Sequence, residues 1–285
     1  MNYQWFPGHM TKAFRMMQEN IKLVDLIIEL TDARVPKAGR NPDLDAMGKG
    51  KARLLLLNKA DLADEAVTAQ WIAAFTGEGV TPLPFNAKES GSTERVRSAI
   101  RETCRERIER DRKRGIVGRP IRAMVAGIPN VGKSTFINRL AARSAAKTGN
   151  KPGVTKGKQW ISLGKELQLL DTPGVLWPKF EEPGIGRDLA MIGSLNDENL
   201  DLTELAAELI ILLQQDYPEA VTRRYELSEE PRETALPYAA QRLAEIAEAK
   251  NLLKQGGVPD MDRAASLLLE DFRSGRLGRI SLERP

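Results

Sequence analysis

From about residue 21 to residue 175, short apolar runs alternate with longer stretches of helical periodicity, the pattern of an open, largely parallel α/β sheet. The runs at 24–30, 53–57, 81–85, 121–127, 160–163 and 167–171 read as six strands. Residues 101–113 are so charged, with so few apolar positions, that they read as the exposed end of a helix preceding the strand at 121. After 177–183 the strand-like alternation ends. Leu200, Leu205, Leu209, Leu212 and Leu213 mark one apolar helix face; 236–255 reads as a second helix stopped by Gly256-Gly257, and 261–273 as a third ending before Gly275. The pattern predicts two domains, α/β over 1–177 and small and all-helical over 178–285, a division that suits 285 residues.

Composition narrows the class. Hydrophobic residues at 41% can supply a sizeable core, and 43 basic against 39 acidic residues leave a net charge of only +4. Attraction to phosphate therefore has to come from local clusters. Residues 101–122 hold nine basic and four acidic side chains; Lys147, Lys151, Lys156 and Lys158 have no acid between them; Arg15, Lys37 and Arg40 can extend such a face. The densest apolar runs, 54–57 and 209–213, fall far short of the roughly 20 residues a membrane span needs, and the first residues lack a signal-peptide pattern. The expectation is a cytoplasmic chain that does not engage a membrane. One cysteine, Cys104, and one histidine, His9, exclude a disulfide framework and a Cys/His zinc site.

The strongest chemical signal is Gly127-Ile128-Pro129-Asn130-Val131-Gly132-Lys133-Ser134, a G-x-x-x-x-G-K-[ST] run between a predicted strand and a predicted helix. Its glycines let the backbone from Asn130 to Thr135 close around phosphates, Lys133 reaches β/γ oxygens, and the Ser134 hydroxyl suits Mg²⁺. Asn58-Lys59-Ala60-Asp61 follows the strand at 53–57, where a carboxylate can accept from both N1–H and the 2-amino group of guanine. Adenine offers neither donor and would leave that carboxylate unpaired. Asn86-Ala87-Lys88 fits a second base-contacting loop, or a plain turn. Asp171-Thr172-Pro173-Gly174 closes the last strand, with Asp171 placed to hold a Mg²⁺ shell and Gly174 to give an N–H to a γ-phosphate. Thr155, in the basic loop between, suits the remaining Mg²⁺ position.

These motifs resemble those of Ras-like P-loop GTPases, but in the order N-K-x-D, N-A-K, P-loop, Thr155, D-T-P-G, a circular permutation. Trp5-Phe6-Pro7-Gly8-His9-Met10, Asp32-Ala33-Arg34-Val35-Pro36 and Arg40-Asn41-Pro42 are similar to segments of the YlqF type of permuted GTPase, a likeness that covers essentially the whole chain. One departure is Asn86, where that family more often has serine. The resemblance implies an α/β GTPase domain with a helical RNA- or ribosome-binding domain. The implied activity is Mg²⁺-assisted GTP hydrolysis in assembly of the large (50S) ribosomal subunit, with nucleotide state switching the C-terminal domain. GTP/GDP and the large subunit are the implied partners, and the chain is expected to be a monomer. Ras-like enzymes carry a water-orienting glutamine soon after D-x-x-G; here Val175-Leu176-Trp177 follow Gly174, so hydrolysis is expected to be slow alone. The resemblance offers His9 for that role, against a structural role at the N-terminus, and Asn130 as a K⁺ ligand. Arg34 reads either as an ion-pair partner at the sheet edge or as an rRNA contact, and Trp5 and Phe6 as hydrophobic anchors rather than base-stacking rings. Two other functions fit the same residues, an RNA-binding scaffold that holds GTP structurally and a GTPase of tRNA modification.

Overall fold

The computed structural model describes residues 8–142, 159–180, 182–228 and 237–285. Six strands form one sheet in the order β3-β2-β1-β4-β6-β5: β1 Leu26–Asp32, β2 Ala52–Asn58, β3 Thr81–Phe85, β4 Ile121–Gly127, β5 Gln159–Leu163 and β6 Leu167–Asp171. All neighbours are parallel except β5, which runs antiparallel on the edge. β4, which ends in the P-loop run, lies in the middle of the sheet although fourth in chain order, so the loops after β1, β2, β3, β4 and β6 open on one edge. Ligands of open parallel sheets bind at that carboxyl edge.

Flanking helices are α1 Gly8–Asn20, α2 Pro42–Met47, α3 Glu65–Thr76, α4 Ser92–Thr103, α5 Arg105–Lys113 and α6 Lys133–Ala141. The C-terminal part is helical throughout: α7 Pro183–Met191, α8 Leu202–Asp216, α9 Glu219–Tyr225, α10 Tyr238–Ala249 and α11 Met261–Ser274. Local chemistry sets many of the ends. The carboxylates of Asp64, Asp201 and Asp260 accept first-turn N–H groups of α3, α8 and α11, and α11 stops at Gly275 in the left-handed region (φ +81°). The buried faces of α8, α10 and α11 pack together, and one continuous apolar core joins them to the sheet through Val175, Leu176, Trp177 and α7.

Three expectations need correction. β1 begins two residues later than the apolar run and continues through Thr31 and Asp32, polar residues that the fold buries completely. The charged stretch is two helices broken at Cys104, not one. The second C-terminal helix stops at Ala249, six residues early: Asn251 turns left-handed (φ +53°), a bridge joins Leu253 to Pro259, and Gly256-Gly257 sits in the intervening turn. Periodicity also missed α7, α9 and the path of the last residues, 276–285, which leave the helical layer and return to the loop after β2.

A buried ionic cluster fastens these parts. Asp32 accepts from Arg34 Nε and Nη2, each at 2.9 Å, and lies 3.0 Å from Lys59 Nζ. Arg34 is 1% exposed; its Nη1 donates to the carbonyls of Phe272 (3.1 Å) and Arg273 (3.4 Å) at the end of α11, and its plane lies over the Phe272 ring. Burial settles the alternative for Arg34: it is an ion-pair partner and cannot reach RNA. Arg34→Ala would strip the buried Asp32 charge of its bidentate partner and two carbonyls, those of Phe272 and Arg273, of that donor, so unfolding free energy should fall by about 3–5 kcal/mol. Arg and Lys hold Asp32 far below the usual carboxylate range. The cluster's stabilisation is therefore present above about pH 4 and lost as pH falls further. Urea titrations of wild type and Arg34→Ala at pH 7 and at pH 3 should show the gap closing with acid.

Candidate functional site

The P-loop run turns sharply out of β4, and its glycines are there because nothing else fits. Gly127 (φ +149°) would place a Cβ 2.4 Å from the Leu30 carbonyl oxygen, and Gly132 (φ +98°) one 2.5 Å from Asn58 Nδ2. Asn130 is also left-handed (φ +56°). The loop then opens α6, whose first residue, Lys133, is buried and donates to the carbonyls of Gly127 (3.0 Å) and Ile128 (2.7 Å). Ser134 is half-buried and Thr135 exposed in the same first turn.

Asp171, at the end of β6, faces Lys133. Burial pushes its carboxyl up to about 6, against the pull of the Lys133 charge and the Thr172 N–H; burial brings Lys133 down to about 8. Asp171 Oδ1 is buried with no hydrogen-bond partner, the condition of an oxygen held for a cation. Thr172 Oγ1 donates to the Val125 carbonyl, and a Cβ on Gly174 would lie 2.7 Å from Pro129 Cα and 2.9 Å from Lys133 Nζ. The D-T-P-G turn and the P-loop therefore touch through backbone, with Lys133 Nζ between them. Val175, Leu176 and Trp177 turn inward and are buried.

Asn58-Lys59-Ala60-Asp61 closes the site from β2. Asn58 Nδ2 donates to the Val131 carbonyl at 2.6 Å, which braces the P-loop from a neighbouring strand. Lys59 is left-handed (φ +57°) and pairs with Asp32, and the Ala60 N–H reaches the Phe85 carbonyl at the end of β3. Asp61 stays partly open, 3.7 Å from the exposed Lys88 amine. Asn86 accepts from the Lys88 N–H at 2.8 Å, so its side chain is spent on shaping the turn that holds Ala87. An edge-to-face contact between Phe85 and Phe136 ties that turn to α6.

Two contacts with the helical part were not legible in the sequence. Asn130 Nδ2 donates to the Gly193 carbonyl (2.8 Å), and Ser194 Oγ to the Pro129 carbonyl (2.9 Å), so the segment after α7 grips the outer P-loop. No spacing rule marks Gly193 or Ser194. Of the proposed basic face, Arg40 is consumed by Glu29, Asp45 and Glu78, and Lys37 pairs with Glu182, whereas Arg15 is exposed on α1. Thr155, the four lysines of 147–158, Trp5, Phe6 and the His9 side chain lie outside the described residues. Cys104 is buried, and burial pushes its thiol up to about 11, which leaves it unreactive. Among the described residues, no cluster of three His, Cys, Asp or Glu side chains could hold a metal, and no helix is long and apolar enough to cross a membrane. An apolar groove of about 470 Å³ between Ile100, Ile108, Ile121 and Leu167 lies at the opposite edge of the sheet, away from these motifs.

Residues 122–239 match the family model described as 50S ribosome-binding GTPase. Over 285 residues, the whole chain and 95% of the relative, the sequence is 43% identical to Ribosome biogenesis GTPase A of Bacillus cereus. It is similar to solved structures of GNP-bound YlqF from T. maritima (TM-score 0.65, 28% identity, 96% of this chain and 98% of that one) and of GDP-bound TM YlqF (TM-score 0.66, 27% identity, 94% and 98%).

The orphaned Asp171 carboxylate makes a test of the site that needs no ligand. Its raised pKa means that the fold favours the neutral form: the destabilisation is absent below about pH 4 and complete above about pH 6. Asp171→Asn should stabilise the nucleotide-free chain at pH 7.5 by about 1–3 kcal/mol, because it removes a carboxylate whose charged form burial penalises. Thermal melts from pH 4 to pH 8 should show the advantage of the variant growing as pH rises.

Proposed function

The chain belongs to the ribosome biogenesis GTPase A family, and from that premise we propose how this site binds and hydrolyses GTP in assembly of the large ribosomal subunit. The observation that carries the proposal is the meeting of two motifs, the P-loop and D-T-P-G, on one sheet edge. Lys133 is buried and spends its ammonium on loop carbonyls; Asp171 faces it with an unpaired oxygen; and Gly174 lies against Pro129 with no room for a side chain. The site is built for phosphate and a cation.

On binding, Lys133 would exchange the Gly127 and Ile128 carbonyls for β- and γ-phosphate oxygens, and phosphate charge would restore the ammonium form that burial disfavours. Backbone N–H groups of Asn130, Val131, Gly132, Lys133, Ser134 and Thr135 would wrap the phosphates at the N-terminus of α6. Ser134 and Asp171, with Thr155, would hold Mg²⁺, which when bound neutralises charge developing on the phosphates. Asp61 would read N1–H and the 2-amino group of guanine, with Asn58, Lys59, Ala60 and the Asn86-Ala87-Lys88 turn shaping the base pocket.

Gly174 would offer its N–H to the γ-phosphate. The residues after it are buried and apolar, so no side chain there can orient water. His9, on the first turn of α1, is proposed to do so once the ribosomal partner is engaged. Asn130 Nδ2 is occupied by Gly193, which leaves its Oδ1 as the atom a K⁺ would use. The same grip on Pro129 and Asn130 gives the helical part, residues 178–285, a direct route by which γ-phosphate occupancy would reposition it for rRNA or ribosomal protein. Buried Val175, Leu176 and Trp177 also favour a second reading, an RNA-binding scaffold that holds GTP without useful turnover.

Hydrolysis in KCl and in NaCl, with large subunits, with small subunits and alone, separates the two. Stimulation by large subunits only is expected. His9→Ala should then cut stimulated turnover about 100-fold while GTP affinity stays within about twofold, and Lys133→Ala should abolish binding. Tight GTP binding with no stimulated turnover selects the scaffold, and equal rates in both salts remove the K⁺ role of Asn130.

A further inference from the structure

The loop that carries Asp61 has no regular structure of its own, and four of its backbone polar groups are held by residues 279–281. Arg279 Nη2 donates to the Ala60 carbonyl (3.1 Å) and its Nε to the Ala63 carbonyl (2.9 Å), with Nη1 on Glu65 (3.1 Å). The Ile280 N–H reaches the Leu62 carbonyl (3.0 Å), and Ser281 Oγ accepts the Asp64 N–H (3.1 Å). Three carbonyls and one amide of residues 60–64 are therefore spent on three consecutive residues some 215 positions away.

The segment is itself fixed at both ends. Before it, Gly275 packs so closely on Leu62 that a Cβ there would lie 2.6 Å from Leu62 Cδ2. After it, the Leu282 N–H bonds the Arg34 carbonyl (2.9 Å), and the Glu283 carboxylate accepts the N–H groups of Lys37 (2.7 Å) and Ala38 (2.9 Å). The Glu283 carbonyl accepts from Trp71 Nε1 (3.1 Å) on α3. Tyr217, directly after α8, closes the arrangement, its hydroxyl donating to Asp64 Oδ2 and accepting the Ser281 N–H.

Asp61 sits inside this frame without being held by it. Its flanking residues Ala60 and Leu62 are pinned through their carbonyls, while among the described residues its own carboxylate has only the long contact with Lys88. A carboxylate that must meet two donors on one edge of a base needs a fixed backbone, because displacement of about 1 Å can cost 10²-fold. We propose that residues 279–281 are a positioning strap for guanine recognition, with Arg279 the residue that sets the angle of Asp61. This rests on the proposed role of Asp61 and adds to it a specificity-determining element contributed by the helical end of the chain.

Inosine triphosphate separates positioning from stability, because hypoxanthine lacks the 2-amino group and can use only one of the two donors. Affinities for GTP and ITP with Mg²⁺ should be measured on the full chain by competition against a fluorescent GTP, for wild type, Arg279→Ala, Arg279→Lys and Ser281→Ala. Arg279 is half exposed, so its removal is tolerable to the fold, and Ser281→Ala tests the strap a second way. The GTP-over-ITP preference should fall about tenfold in Arg279→Ala, the loss expected of one charged hydrogen bond. It should fall less in Ser281→Ala, and Arg279→Lys should recover part of it. Equal losses for GTP and ITP in the variants, or an unchanged preference, would overturn the strap while leaving the guanine reading intact. A wild-type chain that does not prefer GTP over ITP would overturn that reading and the strap together.

Discussion

The structure turns on a carboxylate that should not be tolerable where it is. Asp32 is fully buried at the end of β1, and it survives there because Arg34 grips both its oxygens and Lys59 approaches from the next loop. Isolated, such a charge would be neutralised or would unfold the edge of the sheet. Paired, it fixes three elements at once. Arg34 carries the interaction on to the last carbonyls of α11, and Lys59 is held in a left-handed conformation directly before Ala60 and Asp61. The helical layer and the base loop are therefore referenced to the same atom group, and neither can shift without exposing it.

The phosphate side follows a different rule, one of exclusion rather than pairing. Gly127, Gly132 and Gly174 each stand where a side chain would strike backbone, an amide or the Lys133 ammonium. The space so kept is lined by N–H groups, one buried cation and one buried carboxylate with an unused oxygen. Burial penalises both charges, as the opposed shifts of Lys133 and Asp171 show, and on the proposed reading a phosphate and a cation would relieve that penalty.

The difference between what could and could not be read from residues has a physical cause. Strands buried on both faces announce themselves as apolar runs, and phosphate chemistry announces itself because few residues other than glycine, lysine and serine can do it at that spacing. The sheet, its order of motifs and the residues lining its carboxyl edge were accordingly legible. Contacts made by generic groups were not. Gly193 and Ser194 reach the P-loop by a carbonyl and a hydroxyl, and Ile280 acts through its amide, none of which constrains residue type. Helix 236–255 was overextended because Asn251 carries a positive φ that glycine normally signals, and the true glycines were in the turn beyond. Arg34 was ambiguous because an arginine near a strand end has the same signature whether it faces solvent or a buried carboxylate.

Permutation changes what the C-terminal part can do. The chain leaves the sheet after Gly174, directly from the turn beside Lys133, and its far end returns to the loop of Asp61. Between these points lies the helical layer, which among its contacts meets the P-loop through Gly193 and Ser194 and the loop of Asp61 through residues 279–281. A body in contact with both loops cannot rearrange as a unit without altering at least one of them. On the proposed reading, whatever factor bound nucleotide adds to the affinity of the ribosomal partner must then appear, with equal magnitude, as the factor by which the partner changes nucleotide affinity, because coupling between two binding events is reciprocal. That link follows from the path of the chain, which leaves the sheet beside Lys133 and returns at residues 279–281 to the loop of Asp61.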